Sequence, residues 1–331
     1  MGFSVAFDLD STLGSFESIH PYLIVFFPDI LQQVYKAPHY KGRPFPKLNI
    51  SESDKRLLAK AFETFVLLMA KREEANKLLR PGILDIIKAL LKAKKRGLID
   101  GMMIYSSNSN PYVLLFAERL IQTLLNSKEA IFNPLVHWWH PLRNSETRPP
   151  GTNFGLGHGP KTVQTIVKAL GPVKEKDILF FDDLIHPDIF EKIPNANYFH
   201  VERYQHSGIP LVIYSCFIYS LMKYNLDTKP SILNEYKKIG LLIGKTNEDI
   251  QSFKRQVPTG VNLEIQDTES ILHRLADLLE RPTVHLTTIR KIKNASKESV
   301  IRTSIITRGG KKTRKIDRLR LKVFRTQSCL D

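Results

Sequence analysis

The stretch FSVAFDLDSTL, residues 3–13, carries a short apolar run straight into two aspartates, Asp8 and Asp10. Residues 3–8 read as a fully buried strand that enters a turn. Side chains alternate along a strand with a period of two, so Asp8 and Asp10 point the same way. Two like charges on one face repel and raise each other's pKa unless something positive lies between them. An EF-hand calcium loop counted from Asp8 would need Gly in sixth place and Glu in twelfth. Leu13 and Ile19 stand there instead, so that reading fails.

Further apolar runs also end in polar turns. GMMIYSSNSN (101–110) reads as a strand breaking at Ser106, and KDILFFDD (176–183) as a buried strand ending on Asp182 and Asp183. NYFHVERY (197–204) looks like one more strand, and another is expected around AIFNPLVHWW. Between them lie helical patterns at 83–97, with Gly97 placed to end the helix, at 111–126, and in TVQTIVKALGP after Lys161. Strands alternating with helices imply an α/β fold, a three-layer Rossmann-like parallel sheet. Ligands bind outside the carboxyl ends of such strands. DLDST, YSSNSN and FFDD therefore converge on one edge.

An insert of different character occupies 14–80. It opens with SFESIHPYLIVFFPDILQQVY, passes a loop rich in Pro, Lys and aromatics, and closes with a helix capped near Ser51 or Ser53. Residues 1–13 and 81–205 are then the core, 206–281 a helical extension and 282–331 a tail. The tail holds 14 Lys and Arg against three acids, so +11 of the formal net charge of +16 lies there. It reads as a disordered arm or a small β-hairpin. LVIYSCFIYSLM (211–222) is too short to span a bilayer and is expected to be a buried helix. Two cysteines exclude a disulfide framework and a cysteine-ligated zinc site. A strand that starts at residue 3 leaves no room for a signal peptide, so an intracellular protein, cytoplasmic or nuclear and away from membranes, is expected.

Two phosphate-loop look-alikes fail. GLGHGPKT (155–162) has Pro160 where the glycine N–H is needed, and GLLIGKT (240–246) is one residue short. Lys161 instead reads as a single cation at a helix N-terminus, where charge and dipole together favour an anion. HWWH (137–140) has no acid or cysteine at zinc spacing and reads as packing. His158 is a possible pocket residue, and Asp188 either a further site acid or a helix N-terminal acid.

Taken in order, DLDST, SSN, PK before a helix and DD after a strand resemble the motif set of the haloacid dehalogenase superfamily of phosphatases and phosphotransferases. The resemblance spans residues 3 to about 205. It implies a HAD-like core with 14–80 as a helical cap, and an aspartyl-phosphate mechanism. Asp8 would be the nucleophile, and Asp10 the general acid and base. Mg2+ would bind Asp8, the backbone carbonyl of Asp10 and Asp182, with Asp183 ligating through water or orienting the site. Asn108 matches the family's Ser/Thr-Asn pair, which points to Ser107 rather than Ser106 as the phosphate donor. Lys161 would neutralise the transferring group, Thr12 would support the loop beside the substrate, and Asn108 would lie against the substrate.

A full cap implies a small phosphorylated metabolite or nucleotide, and a partial one leaves room for a macromolecular phosphate. The basic tail suits nucleic acid or an import receptor reading KKTRK. A competing expectation is a nucleic-acid-binding or scaffold protein that keeps the fold, or a polynucleotide phosphatase combining both.

Overall fold

In the computed structural model, residues 2–28, 50–108, 110–138, 140–143, 161–206, 210–230, 232 and 266–279 are described. The chain divides into two units, 1–268 and 269–331. The first is an α/β body around a five-stranded, all-parallel sheet in the order β3-β2-β1-β4-β5. Its strands are β1 (Phe3–Phe7), β2 (Ile99–Tyr105), β3 (Leu135–Val136), β4 (Ile178–Asp182) and β5 (Tyr198–His200). Every residue of β1 and β4 is buried, as a strand covered on both faces requires.

Alternation divides these strands between two cores. Ala6, Met103, Tyr105 and Phe180 face Val163 and Ile166 of helix α5 (Val163–Leu170) and Ile189 of helix α6 (Pro187–Lys192). On the opposite face, Phe7 stacks on Phe181 at 4.3 Å and meets Phe132 edge-on, while Phe181 stacks on Phe199. Helix α3 (Ile83–Lys95) contacts β2 and ends in Lys92, Lys94 and Lys95 before Gly97, whose φ of 71° gives the left-handed turn that stops it.

The insert enters and leaves at one point. Gly14 bridges antiparallel to Leu79, Ser15 N donates to Leu78 O (2.7 Å), and Arg80 N donates to Leu13 O (2.9 Å). A side chain at position 14 would collide with the Leu78 carbonyl, which is why glycine stands there. Its described helices are α1 (His20–Phe26) and α2 (Glu52–Ala70). Of the two candidates Ser51 and Ser53, it is Ser51 that caps α2, accepting from Asp54 N at 3.1 Å. Leu58, Ala61, Phe62, Phe65, Val66 and Met69 form its buried stripe.

That stripe does not form a separate core. Helices α1 and α2 both pack on α4 (Pro111–Leu124), and α2 packs on α7 (Pro210–Met222). Phe26 meets Phe62, Phe65 and Phe217, while Phe65 and Phe16 meet Phe116. Phe27 stacks on Tyr112 with ring centroids 3.7 Å apart.

Two expectations are corrected. The segment 211–222 is a helix, but not a buried one: Ile213, Cys216, Phe217 and Leu221 are covered, while Tyr214 and Tyr219 are 47% and 62% exposed. Helix α2 covers one side of it, and apolar composition alone does not say how many sides are covered. The strand expected around AIFNPLVHWW shrinks to two residues, because Pro134 has no N–H to donate and the Trp138 amide turns to Asn108 O (2.9 Å).

Among the described residues no helix is long and apolar enough to cross a membrane. In the second unit the described part is the run 269–279 of helix α8 (Thr268–Leu279), where Ile271, Leu275 and Ala276 are buried at helical spacing. The basic tail, His158, Pro160, GLLIGKT and the loop at 36–47 lie outside the described residues.

Candidate active site

The central position of β1 decides where its carboxylates go. Phe7 pairs with Phe181 across β1 and β4, so Asp8 leaves one strand beside Asp182 leaving the next, and Asp8 N donates to Phe181 O at 2.8 Å. Asp8, Asp182 and Asp183 are all buried and offer oxygens that lie within 4.8 Å of one another. Among the described residues they form the one such cluster of potential metal ligands.

Lys161 enters this cluster from the start of α5. The helix is fixed there three times over: Thr162 Oγ1 accepts from Thr165 N, Thr162 N donates to Tyr105 Oη (3.0 Å), and Val163 N donates to Asp188 Oδ2 (3.0 Å). Asp188 is thus a cap on α5 that steadies Lys161, and stands outside the carboxylate cluster. Lys161 is 2% exposed, and its Nζ donates at 2.5 Å both to Asp8 Oδ1 and to Asp182 Oδ2. His186 Nε2 lies 3.1 Å from that same Asp182 oxygen.

The electrostatics separate the two aspartates. Burial pushes the Asp8 carboxyl up, and the Asp182 charge adds to this against the pull of Lys161. For Asp182, burial works in the same direction, but Lys161 and His186 together outweigh it and hold the carboxyl well below the usual range. Burial alone would lower the Lys161 ammonium; Asp182 and Asp8 more than reverse that, so it stays a cation.

These residues fit a hard divalent cation. Three buried carboxylates with one contacting ammonium leave excess negative charge, the donors are all oxygen, and a cation among them would remove the penalty that raises Asp8. Asp183 is held for such a role: its N–H donates to Thr12 Oγ1 (2.9 Å), and that hydroxyl lies 3.4 Å from Asp183 Oδ1. Thr12 is buried and supports the loop through its hydroxyl.

The turn after β2 joins the site. Asn108 Nδ2 donates to Asp10 Oδ2 (3.1 Å), bringing together two residues selected from separate motifs. The Asp10 carboxylate stands outside the Asp8–Asp182–Asp183 cluster. Ser106 is buried and its Oγ accepts from Asn108 N (3.0 Å), whereas Ser107 is half-buried.

Three residues at this site carry no motif signal. His186 reaches Asp182 from the start of α6. Arg143 donates to Ser106 O (2.7 Å), with its guanidinium 4.9 Å from the Trp138 ring and 5.1 Å from Tyr105. Arg80 donates to Ser11 O (2.6 Å) and Thr12 O (2.8 Å). In HWWH, His137 and His140 meet edge-on at 5.7 Å, and burial lowers His137 to about 4.

Comparison with known protein families, curated proteins and solved structures yields no match to this chain.

Proposed function

We propose that this chain is a Mg2+-dependent phosphoric monoester hydrolase of the haloacid dehalogenase type. The observation that carries the reading is the meeting of Asp8, Asp10, Asn108, Lys161, Asp182 and Asp183 at one edge of the sheet, from four stretches of sequence. An Asp8 oxygen attacks phosphorus, the ester P–O bond breaks, and Asp10 gives its proton to the departing oxygen. Asp10 then takes a proton from water as that water attacks the phosphorus of the aspartyl-phosphate, releasing phosphate and restoring Asp8. Lys161, fixed on Asp8 Oδ1, holds the carboxylate in one orientation and offsets charge on the transferring group. Ser107, half-buried beside the engaged Ser106, is the hydroxyl assigned to a phosphoryl oxygen. Asn108 fixes Asp10 in its proton-transfer position. Asp8, Asp182 and Asp183, with the Asp10 carbonyl, would hold Mg2+, which supplies neutralisation of the phosphate and Asp8 charges.

Residues 14–80 take the place of a cap in this reading. Its described helices bury phenylalanines against α4 and α7, which supports a fixed layer rather than a swinging lid. With the +11 tail, that favours a macromolecular phosphate, such as a nucleic-acid end, over a small enclosed metabolite. Hydrolysis of p-nitrophenyl phosphate with Mg2+ tests the chemistry. Asp8→Asn is expected to lose at least about a thousandfold in kcat, and unchanged turnover overturns the proposal.

The tail charge also favours a second reading, a nucleic-acid-binding or scaffold protein without turnover. Binding to oligonucleotides across a salt series, with and without 282–331, tests it. Affinity that neither salt nor removal of the tail changes overturns it.

A further inference from the structure

Ser11 adopts φ 67°, a left-handed conformation costly for a side chain other than glycine, immediately after Asp10 and immediately before the Thr12 that holds Asp183. Something must hold this turn. Its carbonyl accepts from Tyr204 N (3.0 Å) and from Arg80 Nη2 (2.6 Å), and its amide donates to Gly14 O (2.7 Å). Arg80 Nε donates to the next carbonyl, Thr12 O, at 2.8 Å, and its Nη2 also reaches Glu202 O after β5. The guanidinium lies 5.9 Å from the Tyr204 ring. One planar cation thus ties together the nucleophile turn, the segment after β5 and the return stem of the insert.

We propose that Arg80 is a positioning residue for the metal centre: by holding the Ser11 and Thr12 carbonyls it fixes the Thr12 hydroxyl, and through it Asp183. The inference rests on the reading of Asp8, Asp182 and Asp183 as a divalent-cation site. Its content beyond that reading is a relay, Arg80 to Thr12 to Asp183, that links the insert to the affinity of that site. Side chains that orient metal ligands typically change affinity about 10- to 100-fold when altered. A guanidinium that merely joins the insert to the body would change thermal stability and leave metal affinity alone.

Mn2+ binding to the full chain, followed by loss of the free-ion electron paramagnetic resonance signal, separates these. Arg80→Lys keeps the charge but cannot span both carbonyls, and Arg80→Gln keeps two N–H donors without the charge. The wild type is expected to bind Mn2+, Asp183→Asn to weaken it, and both Arg80 variants to weaken it at least about tenfold. Thr12→Val should produce a similar loss, and the double variant Thr12→Val/Arg80→Lys should be little weaker than Thr12→Val alone, because both act on one relay. Wild-type affinity in Arg80→Lys or Arg80→Gln, or losses that multiply in the double variant, would overturn the proposal. Failure of both Arg80 variants to fold while Thr12→Val folds would likewise overturn it, placing Arg80 in the scaffold alone. A wild type that binds no Mn2+, or an Asp183→Asn variant that binds it equally, removes the metal reading itself and this inference with it.

Discussion

The edge of the sheet and the helical layer beside α4 are both buried, and they are built from opposite materials. At the edge, three carboxylates and one ammonium are removed from water, and burial raises Asp8 instead of relaxing it. In the layer, Phe16, Phe26, Phe62, Phe65, Phe116 and Phe217 fill the space among four helices, with each fully buried side chain stabilising the fold by about 1.5–3 kcal/mol. The difference teaches a division of labour. The strand ends hold charges in costly proximity, as the proposed chemistry would require, and the aromatic layer supplies stability that offsets the cost.

This contrast is sharpest in paired substitutions. Asp8→Asn, with its loss of at least about a thousandfold in turnover, should at the same time raise the melting temperature of the metal-free protein, since it removes a buried charge next to Asp182. A drop in melting temperature would break the contrast on the site's side. Phe65→Ala should do the reverse: a loss of about 3–5 kcal/mol in urea unfolding, with turnover per folded molecule held near wild type. If Phe65→Ala instead abolished activity in fully folded protein, the layer would belong to the site. Asn108→Ala, which removes a hydrogen bond to the Asp10 carboxylate, is expected to lower kcat about tenfold and leave unfolding unchanged.

The smallest effect is a pH dependence within the insert. Burial lowers His20 from an ordinary value of 6.5 to about 4. Between these values the unfolded chain binds a proton that the folded chain refuses, so stability is full above about 6.5 and declines as pH falls towards 4. His20→Gln should flatten the difference in urea midpoint between pH 7 and pH 5, with no change in the pH profile of turnover. An equally steep decline in the variant would assign the acid sensitivity elsewhere.

Much of the site was legible because it obeys local rules. Apolar runs breaking into polar residues place Asp8, Asp182 and Asp183 at carboxyl ends and mark the turn after β2, and the helix following Lys161 marks its N-terminus. The sheet class followed from the same alternation. What stayed hidden depends on distant partners. Arg80 meets Thr12 across 68 residues, and Arg143 meets Ser106 across 37. No spacing rule announces either contact. Asp188 is the acid in the first turn of α6, one of its two readings from sequence, but nothing local announces that it also caps α5, the helix before β4. Composition makes 211–222 apolar, but the positions of α1 and α2 decide which of its described faces are covered.

The central strand has a consequence for how the chain reaches this state. Phe3 of β1 pairs with Ile99, and Ser4 pairs with Ile178. Neither partner exists on a ribosome until a large part of the chain has been made, and closing such long loops slows folding. The helices of the insert can associate early from local contacts, while β1 and the two acids that follow it wait for β2 and then β4. During synthesis β1 is therefore an unpaired apolar segment until the centre of the sheet assembles.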